Sequence, residues 1–160
     1  MAIKAGYTSD HEHEASQPMK TLSGLDGIFL HLETPATPMH VGSLSLLELP
    51  ANHRGDFCKR VQRHYASRLS LAPVLSRKLA GMPLQLANPV WVQADDVDMK
   101  YHVQRVVLPR PGTQAQLEEC VGRLHSLLLD RSRPLWMVYI IEGLQSGQAA
   151  YYTKIHHALL

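Results

Sequence analysis

Hydrophobic and polar positions change period several times along this chain, and each change marks an element. Leu22, Leu25, Ile28, Phe29 and Leu32 recur at helical spacing, and Ser23 is placed to cap the first turn, which predicts a short helix over 22–32. Pro35 and Pro38 then enforce an extended link. In 41–49 Ser43 and Ser45 alternate with Leu44 and Leu46, the period of a strand that Pro50 ends. A helix over 56–69 places Phe57, Val61, Tyr65 and Leu69 on one face. Pro73, Gly81 and Pro83 break the stretch up to Pro89. Short strands are predicted over 90–92 and 101–108, separated by an acidic turn at Asp95, Asp96 and Asp98.

Past the punctuation of 109–112, Thr113 and Gln116 have the spacing of a capping box. The long helix they open carries Leu117, Val121, Leu124 and Leu128 on its core face, with Cys120 and Leu127 alongside, and residues 130–134 end it. Two strands, 135–144 and 148–155, are joined by Gln145, Ser146 and Gly147 as a hairpin. The order is helix, strand, helix, strands, helix, hairpin: a mixed α/β arrangement without internal repeat. Its 160 residues suffice for one domain with a real core. Residues 1–18 are polar and irregular and read as a flexible leader, with His11 and His13 part of a solvated tail.

Hydrophobic residues at 45% and charged residues at 19% place the chain among globular rather than disordered proteins. The net charge of +2 says little, but its distribution says more. Arg54, Lys59, Arg60, Arg63, Arg68, Arg77 and Lys78 stand against one acid, Asp56. Such a run is ordinarily a solvated helix face; its functional alternative is contact with an anionic surface through Arg54, Lys59, Arg60 and Arg63. Cys58 and Cys120 lie far apart with no CxxC spacing, which suits a reduced, intracellular protein. No apolar run is long enough to cross a bilayer, so any membrane contact is expected to be peripheral.

The chemistry concentrates at His156 and His157, which follow a strand-like run. Three readings compete. A zinc site is weakly supported, because adjacent strand residues point to opposite faces and no ligand cluster stands nearby. One buried histidine can serve as a hydrogen-bonding wedge. An imidazole that titrates near neutrality can also take a proton from a hydroxyl. No GxSxG, P-loop or GxGxxG competes, which disfavours a covalent mechanism and leaves base-assisted attack by a substrate hydroxyl.

Residues 153–160 resemble the first part of the HHxxxDG motif of the wax ester synthase/diacylglycerol acyltransferase family, within the wider chloramphenicol-acetyltransferase-like and condensation-domain group. Pro134, Leu135 and Trp136 resemble that family's PLW motif. Leu22 to Asp26, Phe29-Leu30, Glu33-Thr34 and Pro38 to Gly42 resemble its opening segment. The resemblance covers nearly everything from Met19 to Leu160. It departs from the pattern at the end, where the motif's Asp and Gly would follow Leu160.

The resemblance implies a chloramphenicol-acetyltransferase-like α/β domain, a mixed sheet flanked by helices, occupying 19–160 as the N-terminal portion of a two-domain enzyme. The C-terminal half would be a separate chain or a missing segment. It implies His157 as the general base and His156 as the residue that orients the loop. The reaction implied is O-acyl transfer from fatty acyl-CoA, a substrate rather than a cofactor, to a long-chain alcohol or diacylglycerol, giving wax esters or triacylglycerol. This fragment alone would be inactive. No metal and no nucleic-acid partner are expected, and the setting would be cytoplasmic, at a membrane or lipid-inclusion surface. Arg54, Lys59, Arg60 and Arg63 could then meet lipid headgroups or CoA phosphates. The plainer reading of the PLW residues is that Pro134 stops the long helix while Leu135 and Trp136 fill the core; Asp26 is expected as a local hydrogen-bonding group. The alternative from another class is a non-catalytic fragment or a lipid- or partner-binding module of the same fold. A same-fold enzyme that makes polyketide esters or condenses peptides fits the residues outside the histidine motif less well.

Overall fold

The computed structural model describes residues 20–22, 24–80 and 90–160. The predicted leader, the Ser23 cap and the break around Gly81 and Pro83 lie outside these residues. In chain order the elements are β1 (Lys20–Thr21), α1 (Gly24–Leu32), β2 (His40–Leu47), α2 (Phe57–Arg68), β3 (Arg77–Leu79), β4 (Val90–Gln93), α3 (Met99–His102), β5 (Val103–Val107), α4 (Gln114–Ser126), β6 (Trp136–Glu142) and β7 (Ala149–His156). Short 3-10 turns follow α2 and β7.

The main sheet has the order β2-β7-β6-β5. β6 and β7 form the predicted antiparallel hairpin, whose turn uses Gly147 at φ 76°. β5 and β6 run parallel, and α4 makes the crossover that such a pair requires. β6 is buried on both faces, which is why Trp136 to Ile141 reads as an unbroken apolar run rather than an alternation. A small sheet of order β1-β4-β3 docks beside it, with Trp91 in the core.

The two faces of β7 define the layers. Tyr151 faces α2, where its hydroxyl meets that of Tyr65 at 2.6 Å. Tyr152 and Lys154 face α4: the Tyr152 hydroxyl lies 2.6 Å from His125 Nδ1, and Lys154 Nζ donates to the carbonyls of Leu124, at 2.8 Å, and Leu127. Helices thus flank the mixed sheet on both sides.

Several elements differ from the sequence pattern for identifiable reasons. β2 ends at Leu47, short of the predicted stop, and is an edge strand in which Leu44 and Leu46 remain 40% and 44% exposed. The strand predicted over 101–108 starts late, because Asp98 caps Lys100 and Tyr101 and turns 99–102 into helix. α4 opens with the capping box of Thr113 and Gln116 but ends at Ser126, short of the predicted stop. Lys154 takes up carbonyls at that end, and Leu127 and Leu128 turn outward instead of joining the core face. Pro134, eight residues beyond, therefore stops no helix, although Leu135 and Trp136 do fill the core.

Candidate active site

β7 carries the histidine pair to the end of the main sheet, and the alternation of a strand divides its two members. His156 is fully buried on the α4 face, and a 3-10 turn, His157–Leu159, begins directly after it. His156 Nδ1 accepts the Ala158 N–H at 3.0 Å, so the ring closes that turn as a side-chain cap. With Nδ1 accepting, the proton of the neutral ring sits on Nε2. Burial holds the His156 pKa down, against the pull of the Glu33 carboxylate. Nε2 stands 3.3 Å from Glu33 Oε1, near enough for attraction but misaligned for a hydrogen bond.

His157 is half-buried and differently held. Its N–H donates to the Met39 carbonyl at 2.9 Å, and its ring stacks on Phe29 of α1, with centroids 4.9 Å apart and planes 20° from parallel. Its ring nitrogens take no hydrogen bond from the described residues, which leaves them available to a bound group. The pair therefore presents one imidazole spent on architecture and one not.

Behind it lies a buried polar cluster that the sequence pattern did not single out. The Glu33 side chain is 1% exposed; Oε1 accepts the Met39 N–H at 3.1 Å, and Oε2 pairs with Arg131 at 3.1 Å. Arg131 also donates to the Leu30 carbonyl. Glu33 thus holds the segment whose Met39 carbonyl holds His157. His40, opposite His156 in the β2–β7 register, donates from Nε2 to the His125 carbonyl at 2.6 Å, and burial lowers its pKa. Lys154 shares the inward face of β7, and burial brings its pKa down to about 8. A signal for this cluster was present in the chain: Ala150, Tyr152, Lys154 and His156 share one parity of a strand, so a lysine and a histidine had to be inward together.

Trp136 of the PLW-like segment stands on the other face of the sheet. Its indole is stacked between His102, at 4.4 Å, and Tyr65, at 5.4 Å, and its N–H donates to the Leu75 carbonyl at 2.7 Å. Tyr65 and Leu75 line a cavity of about 410 Å³ between α2 and Tyr151, with Arg60, His64 and Arg68 also on its wall. Asp26 lies in the first turn of α1, half-buried. Arg54, Lys59, Arg60 and Arg63 are exposed on and before α2. Among the described residues no three of His, Cys, Asp and Glu are grouped to hold a metal ion.

The profile of the wax ester synthase/diacylglycerol acyltransferase catalytic domain matches residues 22–160. The probable diacylglycerol O-acyltransferase tgs2 of Mycobacterium tuberculosis is 41% identical over 135 residues, which cover 84% of this chain and 30% of that protein. The probable diacylglycerol O-acyltransferase tgs3 of the same organism is 42% identical over 139 residues, 87% of this chain and 51% of that protein. This chain thus spans between about a third and a half of the length of these relatives. The solved wax ester synthase/diacylglycerol acyltransferase of Marinobacter aquaeolei VT8 superposes with a TM-score of 0.75 at 35% identity, over 88% of this chain and 35% of that one. The starter condensation domain of rhizomide synthetase shares the fold at a TM-score of 0.63 and 12% identity, over 89% of this chain and 34% of that one. The fold is accordingly the chloramphenicol-acetyltransferase-like α/β type, and the chain belongs to the wax ester synthase/diacylglycerol acyltransferase family.

Proposed function

We propose that this chain forms the base-bearing N-terminal portion of an acyl-CoA-dependent O-acyltransferase that esterifies a long-chain alcohol or a diacylglycerol, with His157 as general base. The observation that carries this reading is the split within the pair: His156 is consumed by the turn, while His157 is fixed in backbone and ring plane with its nitrogens unspent. Fixing a base without occupying it is what proton abstraction from a positioned hydroxyl requires. His157 takes the hydroxyl proton as the oxygen attacks the thioester carbonyl. The C–O bond forms, the C–S bond breaks, and the departing CoA thiolate recovers the proton from the imidazolium. Acyl-CoA as the donor is in keeping with a same-fold condensation domain solved in complex with C8-CoA. His156 acts on geometry alone, and so does Asp26 at the start of α1. Trp136 acts through the wall of the α2 cavity. The rest of the active site is supplied by polypeptide corresponding to the further length of the relatives, and residues 22–160 by themselves are inactive. Its working position is peripheral to a membrane or lipid inclusion in the cytoplasm.

The test is a graft of residues 22–160 in place of the matching segment of a longer mycobacterial relative, assayed for ester formation. His157→Ala is expected to abolish turnover without loss of folding. Near-normal turnover of that variant refutes His157 as the base, whereas a graft that forms no ester with His157 in place favours a binding module.

A further inference from the structure

The outward face of α2 is a surface of one sign. Cys58, Gln62 and Tyr65 turn toward the sheet: Cys58 Sγ lies 3.9 Å from the Val103 carbonyl, Gln62 Nε2 donates to the same carbonyl at 2.8 Å, and the Tyr65 hydroxyl meets Tyr151. At 3.6 residues per turn, Lys59 and Arg63 then point away from the sheet, and Arg60 lies at the solvent rim of the cavity beside α2. All three are exposed, as are Arg54 and Arg68. Among the described residues the ion pairs engage Arg105, Arg131, Arg133 and His156, and none of these five cations. The cations bond uncharged groups instead: Arg60 donates to the Arg54 carbonyl at 3.2 Å, Arg63 to the Lys59 carbonyl at 3.4 Å, and Arg68 meets His64 Nδ1 at 3.1 Å. The single local acid, Asp56, is already occupied by the Lys59 N–H and by Arg105.

An ordinary solvated helix face mixes its charges, as α4 does with exposed Glu118, Glu119 and Arg123. α2 does not. Beyond Arg68, moreover, the 3-10 turn Leu69–Leu71 holds out Leu71 at 79% exposure. Cations with no carboxylate partners beside a projecting apolar side chain match the two layers of an anionic bilayer surface, headgroup and acyl boundary.

We propose that the outward face of α2, with Leu71 at its end, is the surface by which this protein lies on anionic lipid. This rests on the lipid-ester reading above for its purpose only; the binding itself is measured without turnover, so either can fail alone. The probe is vesicles of phosphatidylcholine with and without phosphatidylserine, and the readout is partition of the chain. Binding is expected to require phosphatidylserine and to weaken as salt is raised. Lys59→Gln, Arg60→Gln and Arg63→Gln combined are expected to lower partition on the order of 100-fold, about fivefold for each cation. Leu71→Ser is expected to lower it roughly tenfold. Arg123→Gln, on α4, is expected to leave it unchanged. Equal binding to phosphatidylcholine alone, or an undiminished triple variant, overturns the proposal. So does displacement of the chain from vesicles by saturating coenzyme A, which would make the face a site for a soluble phosphate.

Discussion

Glu33 is the side chain whose loss the structure makes most consequential for His157 without touching it. Its carboxylate is 1% exposed and serves two donors, the Met39 N–H and the Arg131 guanidinium. In Glu33→Ala the Met39 N–H is left without its acceptor, at a cost of about 1–3 kcal/mol. The ion pair adds less, because the Arg131 side chain is 45% exposed and rehydrates; about 1 kcal/mol is the screened value for such a pair. The sum is about 3 kcal/mol, which lowers the melting temperature by roughly 6–12 °C in a domain of this size. Glu33→Gln keeps an amide oxygen for the Met39 N–H and gives up only the charge, so it should cost about 1 kcal/mol. Urea denaturation of the two variants checks the order. In the grafted enzyme the same order should appear in kcat, since the Met39 carbonyl is what the His157 N–H binds. If Gln is as damaging as Ala, the charge rather than the Met39 contact carries the effect. If Ala costs well under 1 kcal/mol, Glu33 does not hold this end of the sheet at all.

Two further outcomes follow from buried aromatic and imidazole groups. Burial, foremost, lowers the pKa of His40, His102 and His156 below the ordinary 6.5. The unfolded chain therefore binds protons that the folded chain resists, and stability is full above about 6.5 and falls as pH drops below it. The urea midpoint should be lower at about pH 5.5 than at about pH 7.5, and a flat profile would contradict neutral, buried rings. Trp136→Ala removes the stack on His102 and Tyr65 and should cost about 3–5 kcal/mol, whereas Trp136→Phe forfeits chiefly the bond to Leu75 and should cost about 1–2 kcal/mol. Equal costs in thermal melts would show that the indole N–H, not the stack, is what supports the α2 cavity.

How much of this was legible in the chain depends on whether the information was periodic. α2, α4 and the β6–β7 hairpin announce themselves because a helix or a half-buried strand repeats its apolar positions, and local chemistry at Asp56, Thr113 and Gly147 marks their ends. The helix at 99–102 was hidden because one cap, Asp98, outweighed a strand-like run. The exposure of β2 was hidden because alternation reports a strand but not its place in the sheet order. The partners of the histidine pair were hidden for a deeper reason. Glu33 and His156 are 123 positions apart, and Lys154 meets α4 across 30; tertiary contact alone brings such groups together. The inward parity of Lys154 and His156 still carried a warning. A strand that turns a lysine and a histidine toward a packed helix must pair them, since an unpaired buried charge costs more than the strand gains from its remaining contacts. The pairing found for Lys154 explains at once why α4 ends early and why Leu127 and Leu128 leave the core. The same strand thus sets the end of one helix through Lys154 and the turn that bears the base through His156. The end of α4 and the geometry of the histidine pair are one structural unit, and a change at either should be felt at the other.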